Sequence, residues 1–145
     1  MKKGLYLITL LLLLCTESIL AQKPKCLSKE EFRAKQEAFL TEQASLSTEE
    51  AKQFFPLYFE LQDKKQEYNK KAWQMIRDGK KENLSEEEQM KLIEGVIKTK
   101  IKINELDLQY IYKYKKFLPA KKIHQIQRAE MKFHRELLKP HRKRQ

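Results

Sequence analysis

Three histidines, His124, His134 and His141, fall within the last 22 residues, and with Cys26 they are the side chains of this chain best suited to hold a transition metal. Their spacing argues against a site. Ten residues around a helix put His124 and His134 about 80° apart and nearly three turns distant. Pro140 separates both from His141, and Cys26 lies at the other end of the chain. Solvated histidines on a basic helix face are the simpler reading, and no bound metal is expected. Covalent chemistry fares no better. The sequence has no Gly-rich phosphate loop, no serine elbow and no pair of carboxyls in settings that would separate their pKa values. Many of its acids fall in the first turns of helices, where the dipole favours them. The chain is expected not to be an enzyme and to carry no cofactor.

The remaining candidates bind rather than react. From Lys113 to Gln145 there are twelve Lys and Arg against two Glu. Nucleic acid could exploit such a face, but an exported protein rarely meets any, so unfolded or acidic protein segments, or weakly an anionic membrane surface, are the expected partners. Aromatic side chains are dense around Phe54, Phe55, Tyr58 and Phe59 and again around Tyr110, Tyr112, Tyr114 and Phe117. Core packing is the default for most of them. Phe59 and Tyr112 fall off the main apolar rows and could line a partner surface. The candidate partner-binding set is therefore Phe55, Phe59 and Tyr112 with Lys113, Lys115, Lys116, Lys121, Lys122 and Arg128.

Helices must position these residues. The 145 residues include only three glycines, with 35% charged and 41% hydrophobic residues, which points to an all-α chain of one domain with a modest core. Three capping boxes mark helix starts: Leu27-Ser28-x-x-Glu31, Leu46-Ser47-x-x-Glu50 and Leu84-Ser85-x-x-Glu88. Leu27 and Phe32 stand where a hydrophobic staple would close the first. A degenerate fourth start reads Leu118-Pro119, with Pro119 suited to the first helical position.

Four helices are predicted over about 28–44, 48–78, 86–116 and 119–139, in an elongated antiparallel arrangement. The second should bend near Pro56, whose ring and missing N–H disturb the preceding turn. Gly79 should end it as a left-handed cap. The third carries two apolar rows. One is Met90, Ile93, Ile97, Ile101, Leu108 and Ile111; the other is Leu92, Val96, Ile103, Leu106, Tyr110 and Tyr114. Two rows exceed what one packing seam needs, so this helix is either touched on both sides or turned partly toward a partner. Gly95 inside it should cost about 1 kcal/mol relative to Ala.

Residues 1–21 read as a secretory signal peptide. Lys2 and Lys3 begin it, Leu5–Leu14 form its apolar run, and Ala21 precedes the expected cut. The expected location is the periplasm. Cleavage would remove Lys2, Lys3 and Glu17 and lower the net charge from +11 to +10. It would also leave Cys26 as the single cysteine, unable to form an internal disulfide. Residues 22–139 would form the domain and 140–145 a basic tail.

The segments Leu46-Ser47-Thr48-Glu49-Glu50 and Leu84-Ser85-Glu86-Glu87-Glu88 stand where the Spy/CpxP family of periplasmic helical proteins carries its Leu-Thr-x-x-Gln motifs, and the layout resembles that family over roughly 27–138. Phe54-Phe55-Pro56-Leu57-Tyr58 is similar to the Phe-Trp-Pro-x-Tyr turn of related Bacteroidetes-type exported proteins, described as sensors of ECF-type sigma factors or heavy-metal sensors. Phe117-Leu118-Pro119 with Gln125-x-x-Arg128-x-Glu130 looks like that group's last helix. The resemblance implies a homodimeric, cradle-shaped, ATP-independent chaperone or stress protein acting on unfolded clients. Its alternative implication is a sensor or modulator of envelope-stress signalling, through a sigma factor or a two-component system and responsive to metal.

Overall fold

The computed structural model describes residues 27–139. The expected signal peptide with its expected cut after Ala21, Cys26, His141 and the expected basic tail over 140–145 lie outside the described residues. Four helices follow one another: α1 (Lys29–Ala44), α2 (Thr48–Asp78), α3 (Glu86–Tyr114) and α4 (Ala120–Leu138). No strand occurs among the described residues. The fold is all-α, as composition and periodicity predict.

Local chemistry sets the helix starts. Ser28, Ser47 and Ser85 each accept the amide of the glutamate three residues on, and Glu31, Glu50 and Glu88 each reach back to the serine amide at 2.8 Å. Two otherwise orphaned donors are satisfied at each start. α4 begins differently. Pro119 is its N-cap, in extended backbone and without a side-chain cap, rather than its first helical residue.

The helix ends depart from expectation in one instructive place. Gly79 is right-handed, at φ −64°. α2 instead winds down through tight turns, in which the Lys80 and Lys81 amides donate to the carbonyls of Arg77 and Asp78. The left-handed residue that lets the chain reverse is Asn83, at φ 71°, four positions later. Asparagine tolerates that conformation better than most side chains. α2 itself is continuous through Pro56.

α2 and α3 form one antiparallel pair, and α1 and α4 form another. The pairs stack over a core of Leu40, Phe54, Tyr58, Leu61, Tyr110, Tyr114, Ile123 and Ile126. Ring contacts dominate it, with the Phe54 centroid 4.9 Å from Tyr114 and 5.3 Å from Tyr58. Phe133 holds α4 on α1 through Phe32 and Phe39, at 5.6 and 5.4 Å. Polar ties run between the pairs at the same level: Gln36 donates to the Tyr58 hydroxyl, and Arg33 and Lys29 both meet Asp63.

This shared core stops near Leu61 on α2 and Leu106 on α3. Among the described residues, no hydrogen bond or ion pair joins α1 or α4 to α2 beyond Asp63. Past that level α2 and α3 continue alone as a two-helix arm over 64–78 and 86–105, about 22 and 30 Å long at 1.5 Å per residue. Ala72 and Thr99 are its buried side chains. Gly95 has a packing role in the arm: a Cβ there would sit 2.8 Å from the Met75 sulfur. The cost of a mid-helix glycine is thus tied to the close approach of the two helices.

Candidate functional site

On the arm, two residues along a helix turn through about 200°, so Thr99, buried against α2, and Ile97 point to nearly opposite sides of α3. The two apolar rows of α3 separate accordingly. Leu92, Val96, Ile103, Leu106, Tyr110 and Tyr114 are buried or half-buried toward the other helices. Met90, Ile93, Ile97, Ile101 and Leu108 each keep between 50% and 57% of their surface in water. Tyr112 extends that row at 59%. From Met90 to Tyr112 it runs about 33 Å along one helix.

α2 widens the face. Ile76 lines a groove with Ile93 and Val96 between the two arm helices. Trp73, one turn before Ile76, is 60% exposed. Isolated exposed apolar residues are ordinary, but a row of this length on one helix is of the kind that marks a docking surface.

The groove has a counterpart in the base. Ile111 and Gln62 line the hollow that α4 covers with Ile123, Ile126 and Glu130. Ile93 and Lys80, which line the arm groove, lie 18 residues from Ile111 and Gln62 respectively. Eighteen residues make five full turns, so the side of the α2–α3 pair that α4 covers in the base continues on the arm with no covering helix among the described residues.

The predicted partner set divides between this face and the core. Tyr112, Lys115 and Lys116 are exposed together at the C-terminal end of the row. Lys121 and Arg128 are exposed on α4, away from it. Phe55 is corrected: it is 4% exposed, packed against Phe54, Tyr58 and Phe59. Its position beside Phe54 on a helix flanked by two layers gives it a core neighbour on each side. Phe59 is half-buried, with the Arg33 guanidinium 4.9 Å from its ring centre. Lys113 lies 3.9 Å over the Tyr110 ring. Lys122 is bonded to Glu50 and so ties α4 to the start of α2. Sequence reasoning missed Trp73 and Ile76. The signal was an apolar pair at i and i+3, displaced from the Tyr68–Ala72–Met75 row that faces α3.

Electrostatics around the face are mixed, with Glu86, Glu87, Glu88 and Glu94 against Lys91, Lys98 and Lys100 over the outer half of α3. Lys98 pairs with Glu94 at 2.8 Å and Lys91 with Glu87 at 2.6 Å. The Lys98 ammonium holds the Glu94 carboxyl below its usual range. Lys100 and Lys80 are exposed on the groove side of the row. The acids with lowered pKa values elsewhere are structural. Arg33 and then Lys29 lower Asp63, Lys122 and then the Ser47 amide lower Glu50, and the Ser85 amide lowers Glu88.

Among the described residues, no three His, Cys, Asp or Glu side chains converge to hold a metal, and no helix is long and apolar enough to cross a membrane. Comparison with protein-family models, curated proteins and solved structures finds no match to this chain.

Proposed function

We propose that this protein is an ATP-independent, chaperone-like stress protein of the periplasm that holds unfolded or acidic, apolar protein segments on its arm. The observation that carries this reading is the row Met90, Ile93, Ile97, Ile101, Leu108 and Tyr112, each with half or more of its surface in water. A folded protein that leaves such a surface bare gains from covering it with another chain's apolar residues, at roughly 25 cal/mol per Å² removed from water. The excess of Lys and Arg in the last third of the chain would draw acidic segments toward the molecule as a whole. The action requires no nucleotide and no catalytic group. The resemblance to Spy/CpxP proteins supports the same function, export through the leader at 1–21, and a homodimer.

The test is light scattering from a chemically denatured client diluted into buffer without nucleotide. Suppression of aggregation at near-equimolar protein supports the proposal. Scattering unchanged by a tenfold excess rejects it.

A further inference from the structure

The hollow in the base, between α2, α3 and α4, has a volume of about 190 Å³. An apolar cavity of about 150 Å³ already accepts benzene, so this one has room for a small organic molecule. Leu61, Ile111, Ile123 and Ile126 give it apolar walls. Gln62, Lys65, Asp107, Tyr114, Gln127 and Glu130 supply its polar groups. Gln127 is exposed and the Asp107 side chain is 40% exposed, so the hollow meets water at their end.

Two polar groups of this lining have bonding capacity left over. Tyr114 is 5% exposed, and its hydroxyl is buried with no hydrogen-bond partner among the described residues. An unmade bond of that kind costs about 1–3 kcal/mol. Burial above all, and then the charge of Glu130, raises the Tyr114 phenol, which places hydroxyl and carboxylate within each other's field. Glu130 is the second. Tyr58 and Gln62 both donate to its Oε1 and so fix the carboxylate. Among the described residues its Oε2 accepts no hydrogen bond and no cation pairs with it.

Charge balance then selects the ligand. The Lys65 ammonium is committed to Asp107, bonding both carboxylate oxygens at 2.8 and 3.1 Å. Glu130, half-buried, is the uncompensated charge of the hollow, and a cation beside it would be stabilising. The apolar walls ask for carbon next to that cation. The chain's net charge of +11 opposes a cation at long range but is screened beyond about 8 Å in physiological salt.

We propose that this hollow binds a small primary amine with an apolar body. Its ammonium donates to Oε2 of Glu130 and to the Tyr114 hydroxyl oxygen, and its carbons lie against Ile111, Ile123 and Ile126. The site is in the base, separate from the arm surface proposed to hold clients.

The experiment titrates the full mature chain with three probes of similar shape, followed by backbone amide NMR: phenethylamine as the cation, phenethyl alcohol as the neutral form and phenylacetate as the anion. Phenethylamine should bind about tenfold more tightly than the alcohol, because its hydrogen bonds are charge-assisted, and phenylacetate should not bind. The shifted amides should cluster around Leu61, Ile111, Tyr114 and Ile126. Glu130→Gln keeps an acceptor for Tyr58 and loses the charge, so it should weaken the amine about tenfold and leave the alcohol unchanged. Lys65→Gln, at the open end and outside the Tyr58–Glu130 bonds, removes the neighbouring cation and should tighten the amine severalfold.

Equal affinity for amine and alcohol, in the wild type or with Lys65→Gln leaving the amine unchanged, overturns the inference. Tighter binding of phenylacetate overturns it in favour of an anion site at Lys65. Amine shifts confined to the exposed acids at the start of α3 overturn it in favour of surface ion pairing. Shifts with none of the three probes overturn it and leave the hollow to water.

Discussion

The Tyr58 hydroxyl donates to Oε1 of Glu130 at 2.9 Å, joining α2 to α4 across 72 residues of sequence. The same hydroxyl accepts from Gln36 of α1 at 2.7 Å, and Gln62 donates to the same Glu130 oxygen at 3.2 Å. Burial, followed by the charge of Glu130, pushes the Tyr58 phenol well above its usual pKa, so it stays a donor throughout the working range. One tyrosine thereby links both members of the α1–α4 pair to the long hairpin. Tyr58→Phe keeps the ring and removes both bonds, leaving the buried Gln36 amide without its partner. Urea unfolding should show a loss of about 2 kcal/mol, typical of a buried polar group left unpaired. A loss below about 0.5 kcal/mol would mean that ring packing alone holds the two pairs together.

Acid should weaken the fold. Glu50, Asp63, Glu88 and Glu94 all have pKa values below the 4.5 or 3.8 of free Glu and Asp. A carboxyl lowered in the folded state contributes stability above its unfolded pKa and loses it as pH falls through its folded pKa. The urea midpoint should therefore be flat from about pH 7 to 5.5 and decline below about pH 4.5. Glu50→Gln removes the partner of Lys122 and should flatten part of that decline. A midpoint that rises on acidification would contradict the assignment.

Helix starts should be separable by position. Ser47→Ala opens α2 beside the core, whereas Ser85→Ala opens α3 at the tip of the arm. Each removes one cap bond, worth about 1 kcal/mol. The first should lower global stability. The second should appear mainly as faster amide exchange over 86–92, because α1 and α4 do not reach the tip.

Much of this architecture is legible in the sequence because its determinants are local. A serine and a glutamate three residues apart satisfy their own backbone, so all three boxes form as read. The two rows on α3 are also visible, since periodicity depends only on spacing. What spacing cannot give is which row meets a neighbour. That depends on α1 and α4 being too short to cover the arm. Phe55 illustrates the same gap: an aromatic beside Phe54 is read as a surface residue until α2 is seen between two layers. Trp73 lies outside the core-facing rows that helical periodicity picks out, so spacing alone does not single it out. Asn83, not Gly79, carries the positive φ, because the helix unwinds through tight turns before it reverses.

Loss of core and loss of surface should have opposite signatures. Phe54→Ala empties a fully buried site ringed by Phe55, Tyr58 and Tyr114, and should cost about 3–5 kcal/mol. Ile97→Ser with Ile101→Ser removes half-exposed surface and should change thermal stability by no more than about 1 kcal/mol.

The most direct measurement is the affinity of a fluorescently labelled, permanently unfolded client for the wild-type chain and for the Ile97→Ser, Ile101→Ser variant, read by anisotropy at matched helicity. Binding by the wild type and a loss of about tenfold or more in the variant, with an unchanged melting curve, is the predicted outcome. Equal affinity for both chains would show that the bare side of the arm is not where clients are held.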